Sequence, residues 1–137
     1  MLFIPRNSKF KKQHKKNNFN KINNNLTLKL NSSNVYLKAL SFGRVTSKQL
    51  TSIRQTINKV IKKVGKLRFN VFPHTPISKK PKEIRMGKGK GSVDHWISKI
   101  KTGQIICEIK TDSSSKAIKA LNLARFRFPL KTKIISN

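Results

Sequence analysis

The stretch TSKQLTSIRQTINKVIKKVG, Thr46 to Gly65, constrains the fold more than any other. Leu50, Ile53, Ile57, Val60, Ile61 and Val64 recur at helical spacing and draw an apolar stripe roughly 100° wide. Thr46 and Gln49 have the spacing of a capping box, in which the hydroxyl accepts from the third helical amide and the Gln side chain reaches back. Gly65 stands where a C′ glycine ends a helix. The spacing therefore predicts a helix over 47–64. Its opposite face holds Lys48, Lys59, Lys62 and Lys63, with Arg54 at the rim. One side must be covered by another element, and the other meets solvent or phosphate.

The covering element is predicted to be a sheet. LTLKL (Leu26–Leu30) and VYLKAL (Val35–Leu40) have the alternating or apolar character of short strands, with NSSN as the turn between them. KLRFNVFP (Lys66–Pro73) alternates Leu67, Phe69 and Val71 inward, and Pro73 closes it. SVDHWISKI (Ser92–Ile100) suits a short strand or a turn of helix. Gly103 turns into a strand over Gln104–Lys110, which buries Cys107. A second helix follows, capped by Ser114 or Ser115, with Ala117, Ala120, Leu121, Ala124 and Phe128 on one face. Pro129 stops it, and LKTKIIS supplies a last strand. Two helices that do not alternate strictly with the strands imply a small single α+β domain over residues 26–137. Residues 1–25 form a basic arm, disordered when free.

Charge decides the class of partner. Lys plus Arg number 32 against 4 Asp plus Glu, a net charge of +28. A compact state this one-signed repels itself, and a polyanion relieves the repulsion while condensed counterions are released. Lys and the Asn-rich NNFNKINNN (Asn17–Asn25) point to an A+T-rich genome, but base composition does not account for so few acids. No apolar run is long enough to span a bilayer. The opening MLFIPRNSKF is too short in apolar residues for a secretory signal.

Catalysis finds little to work with. Glu83, Asp94, Glu108 and Asp112 are the only acids, so paired carboxylates are nearly impossible to build. Asp94 adjoins His95, but no Ser or Cys partner is identifiable, and His95 and Trp96 are expected to make a polar contact and a packing anchor. His14, His74, His95 and Cys107 lack metal-ligand spacing, so neither metal nor cofactor is expected.

KKPKEIRMGKGKG, Lys79 to Gly91, carries six basic side chains and three glycines inside a predicted loop over 73–91. It fails the phosphate-loop pattern, because the second glycine position counted from Gly87 falls on Ser92, and the dinucleotide fingerprint fails there too. Gly87, Gly89 and Gly91 instead allow positive φ and close approach, while Lys88 and Lys90 project charge and Arg85 adds a planar fork. Such a loop suits a narrow space walled by phosphate.

The block from Phe72 to Ile109 resembles the signature of the large-subunit ribosomal protein L-sixteen family, of bacterial and organellar type. Phe72-Pro73, Lys80-Pro81, Arg85 through Gly91, Val93, Trp96, Gly103 and Glu108 all match. Pro5, Lys9, Phe10, Lys12, His14 and Lys15 are similar to the family's basic arm, GRVTSKQLTSIRQTI to its first helix and FPLKTKII to its last strand. Asn and Ser replace the family's glycines between residues 16 and 34, and Thr102 stands for its Pro. The resemblance implies a hammerhead-like sheet with two helices. It also implies binding to large-subunit ribosomal RNA near the base of the central protuberance, with neighbouring large-subunit proteins, and a loop facing transfer RNA in the A and P sites. Ribosomal RNA contact is expected from Arg6, Lys9, Lys11, Lys12, His14, Lys15, Arg44, Lys48, Arg54, Lys59, Lys62 and Lys63. The transfer-RNA side is expected to hold Lys79, Lys80, Arg85, Met86, Gly87, Lys88, Gly89, Lys90 and Gly91. Because the match starts at Pro5, no removable transit peptide is expected, and with the A+T signature a mitochondrial ribosome is the expected location, an A+T-rich bacterium the alternative. A free-standing RNA-binding or assembly protein and a cationic membrane-surface protein are the competing functions.

Overall fold

A computed structural model describes residues 3–14, 34–62, 65–87 and 89–136. The expected strand Leu26–Leu30 and most of the NSSN turn lie outside them. Among the described residues seven strands and two helices follow in the order β1 (Asn34–Ala39), β2 (Gly43–Thr46), α1 (Ser47–Ile61), β3 (Gly65–Phe69), β4 (Thr75–Lys79), β5 (Ser92–Ile100), β6 (Ile105–Thr111), α2 (Ser114–Arg125) and β7 (Thr132–Ile135). The domain is α+β, as its sequence implies, but its strands divide between two sheets, ordered β3-β6-β1-β7 and β2-β5-β4. The pairings are all antiparallel.

Helix α1 begins where the capping box predicts. The Gln49 amide donates to Thr46 Oγ1 at 3.3 Å, and the Thr46 amide to Gln49 Oε1 at 2.9 Å. Leu50, Ile53, Ile57 and Ile61 are buried along the stripe. They pack with Ala117, Ala120, Leu121 and Ala124 of α2 against Val35, Leu37, Cys107 and Ile109 of the four-stranded sheet. The C-terminal expectation is corrected. The helix ends at Ile61, and Lys62 turns the chain at φ 49° with its amide on the Asn58 carbonyl at 2.8 Å. Gly65 is no cap; it opens β3 opposite Thr111. A Cβ there would meet Ile61 Cγ2 at 2.8 Å and the Lys110 carbonyl oxygen at 3.0 Å, so the glycine serves close approach of helix end and sheet.

Three further boundaries move. The strand expected over Lys66–Pro73 ends at Phe69, with one further bond from the Asn70 amide to the Ile106 carbonyl at 2.9 Å, although Val71 beyond it stays buried. Ser113, not Ser114 or Ser115, caps α2, and its side chain makes no capping bond. That helix ends at Arg125, after which the Arg127 and Phe128 amides donate three residues back, to Ala124 and Arg125. The largest correction concerns the loop over 73–91. Thr75–Lys79 is a strand paired with β5, so among the described residues of that stretch only Pro73, His74, 80–87 and 89–91 are irregular. Pro76 disguises this strand, since a residue without an N–H suits only an edge, and β4 is the edge of its sheet. Ser92–Ile100 is wholly strand.

Candidate nucleic-acid interface

Strands β4 and β5 make a hairpin that carries the glycine-lysine segment at its end. The three glycines do different work. A Cβ on Gly91 would lie 2.6 Å from the Lys79 carbonyl oxygen and 2.8 Å from the Lys80 nitrogen, so Gly91 lets the two strands close beneath the tip. Gly87 at φ 97° and Gly89 at φ 81° have open space around them and are needed for backbone handedness instead. Lys80 Nζ donates across the tip to the Gly87 carbonyl. Pro81 to Gly87 are all exposed, and Met86 is wholly so (100 %). Arg85 and Met86 are therefore a cation and an apolar side chain presented together at the far end.

The arm is not separate from this hairpin. Phe3 is buried at 7 % exposure, with its ring edge-on to Phe69 and centroids 5.3 Å apart. Farther along, Lys12 Nζ donates to the Lys90 carbonyl at 2.9 Å, and Lys90 Nζ donates to the Gln13 carbonyl at 2.6 Å. The described part of the expected disordered arm thus docks on the domain. Arg6, Lys9, Lys11, Lys12 and His14 are exposed along it, and Lys9 sits 5.7 Å from the Phe10 ring centroid.

Not every expected contact residue joins the cluster. Lys48, in the first turn of α1, lies near the hairpin, because its charge and that of Lys79 both act on Asp94. The hydrogen bond His95 Nδ1 donates to Asp94 Oδ2, 2.8 Å long, is the main cause that holds this carboxyl below the usual carboxylate range. Lys59 and Lys62 stand apart, since eleven residues of helix beyond Lys48 span roughly 16 Å. Arg54 is half-buried in mid-helix and Arg44 half-buried on β2. Lys15, Lys63 and Lys88 lie outside the described residues. Lys99 and Thr75 went unnoticed in sequence, yet both line a small cavity with Arg44, Lys90 and His14. The available signal was the alternation of SVDHWISKI, which puts Lys99 on one face with Ile97 once the segment is strand.

Cys107 is fully buried, and desolvation, with Glu108 beside it, pushes its thiol up to about 12. Trp96 is half-buried opposite Pro76. Among the described residues no three His, Cys, Asp or Glu side chains gather as a metal site, and no helix is long and apolar enough to cross a membrane.

Fold and surface together define the class: a small, strongly cationic α+β domain with an exposed glycine-lysine hairpin tip and a basic arm clipped to that hairpin. More closely, the chain belongs to the family described as Ribosomal protein L16p/L10e, whose pattern it matches over residues 5–135. It is 41% identical over 136 residues to the large ribosomal subunit protein uL16 of Blochmanniella pennsylvanica, covering 98% of either chain. Against the uL16 of Psychrobacter cryohalolentis the identity is 41% over 131 residues, 96% of this chain and 94% of that one. The uL16c of Euglena longa is 42% identical over 131 residues, 96% of each. The matched span takes in the arm, both sheets and the hairpin.

Proposed function

We propose that the chain is a structural component of the large ribosomal subunit. It binds large-subunit ribosomal RNA through the arm, Arg44, Lys48 and the lysine face of α1, and turns the hairpin tip toward transfer RNA in the A and P sites. The observation that carries this reading is the tip itself: Arg85 and Met86 stand exposed on a backbone thinned by Gly87 and Gly89, within a chain that belongs to this family. A tip of that shape approaches phosphate closely without contributing to the core. The internal bonds of Lys80 and Lys90 modify the sequence expectation, because these two brace the tip and the arm.

Sedimentation of the tagged protein from native lysate at moderate and high salt tests the proposal. Co-migration with the large subunit through a high-salt wash is expected. Release into light fractions at high salt would favour a free-standing RNA-binding protein, since loose counterion-driven binding is stripped by salt. In subunits that carry Arg85→Ala with Met86→Ala, transfer-RNA binding is expected to weaken while domain stability stays within about 0.5 kcal/mol, as for other exposed sites. A mitochondrial ribosome is the location we favour, from the A+T-leaning composition. Recovery of the protein in purified mitochondria supports it, and a source cell without the organelle overturns it.

A further inference from the structure

We infer that the seam between the docked arm and the β2-β5-β4 sheet is a phosphate-binding pocket. Val45, Ser98 and Ile100 are buried on one face of this sheet. On the other face Arg44 and Lys99 are direct cross-strand partners, and Thr75 lies opposite Ile97. Gln13 and His14 of the arm and Lys90 of the hairpin close over that face and leave a cavity of about 160 Å³. Its size excludes a nucleotide or drug-sized ligand, which needs roughly 300 Å³ or more, and equals about five waters' share of liquid. None of its lining residues is acidic, while Thr75 and Ser78 supply hydroxyls among the cations.

Electrostatics gives the pocket its sign. Arg44 and Lys99 stand directly opposite on neighbouring strands and are both half-buried, where charge is less screened. With Lys90 beside them and no acid in the lining, an anion placed there gains an attraction to each cation. An ammonium has three donors, and the bond from Lys90 to Gln13 is one of them. The Lys12–Lys90–Gln13 clip holds the lid, so an anion in the pocket also ties the arm to the hairpin. The ligand is a phosphate group, either of an RNA backbone or free; only the RNA source rests on the function proposed above.

Amide and side-chain NMR of the full chain, titrated with inorganic phosphate against chloride at matched ionic strength, tests the pocket. Saturable shifts are expected at Gln13, Thr75, Ser78 and Lys99. They should weaken at least tenfold in the double variant Arg44→Met, Lys99→Met, while Lys119→Met on α2 leaves them unchanged. If the double variant does not fold, the exposed change Lys90→Met takes its place. Non-saturating shifts spread evenly over the lysines of both helices would overturn the site. A short single-stranded RNA then separates the sources. If an RNA phosphate fills the pocket, the double variant lowers the salt slope of RNA binding by about 0.7 for that contact. An unchanged slope with saturable phosphate binding assigns the pocket to free phosphate. Failure of subunit co-sedimentation would leave the phosphate titration standing, so the two readings fail separately.

Discussion

Replacing Phe3 with Ala should free the arm without unfolding the domain. Burying a Phe side chain stabilises by about 1.5–3 kcal/mol, and an edge-to-face partner such as Phe69 adds about 0.5–1.5 kcal/mol. The arm's docking should therefore lose about 2–4 kcal/mol. At 1.36 kcal/mol per tenfold, the fraction of molecules with the arm detached rises roughly 30- to 1000-fold. The core beneath it, Leu37, Ile53, Ile57, Cys107 and Leu121, is fully buried without help from this residue's neighbours in sequence, most of which are exposed. Tryptic cleavage after Arg6 and Lys9 reads the detached fraction when opening is fast relative to cleavage. Cleavage there should accelerate by that factor, while hydrogen exchange in α1, α2 and β6 stays as in the parent chain. Phe10→Ala, at a residue 64 % exposed, is the control and should change neither. An unchanged cleavage rate would refute the docking, and an equal loss of protection in the helices would show that arm and domain are one cooperative unit.

Two more expectations follow from single residues. Gly91→Ala should distort the base of the hairpin and destabilise by about 1–3 kcal/mol through overlap with Lys79 backbone, whereas Gly87→Ala should cost about 1–2 kcal/mol of backbone strain with no clash; the spectra should show shifts at Lys79 and its strand partner Ser92 only in the first, and matching shifts there in both would refute the division of roles. Cys107 should resist thiol reagents at pH 8 until the chain is denatured. Its folded thiol is raised above the unfolded value of 9.0 to about 12, so the stability it contributes is complete below pH 9 and is lost as pH rises from there toward 12. Denaturation at pH 8 and 10.5 should show a loss about 2 kcal/mol smaller in Cys107→Ala than in the parent, and equal losses would refute the assignment.

How much of this was legible in sequence depends on the range of the forces involved. The start and buried stripe of α1, the strand burial of Cys107 and the apolar face of α2 are visible because capping and periodicity act within a few residues. The hairpin's glycine-lysine composition is equally local, and the family resemblance rests on it. Gly65 carries the local signal of a helix stop, but its pairing with Thr111, forty-six positions away, makes it the start of a strand instead. Strand β4 was hidden because Pro76 is acceptable only once the strand is known to be an edge. Composition alone determined that this chain carries charge for a polyanion and puts flexible backbone beside it. Tertiary structure alone decided that Lys90 clips the arm across 77 positions and that Arg44 faces Lys99. Cross-strand register and long-range docking set those neighbours, and neither leaves a periodic trace in the chain.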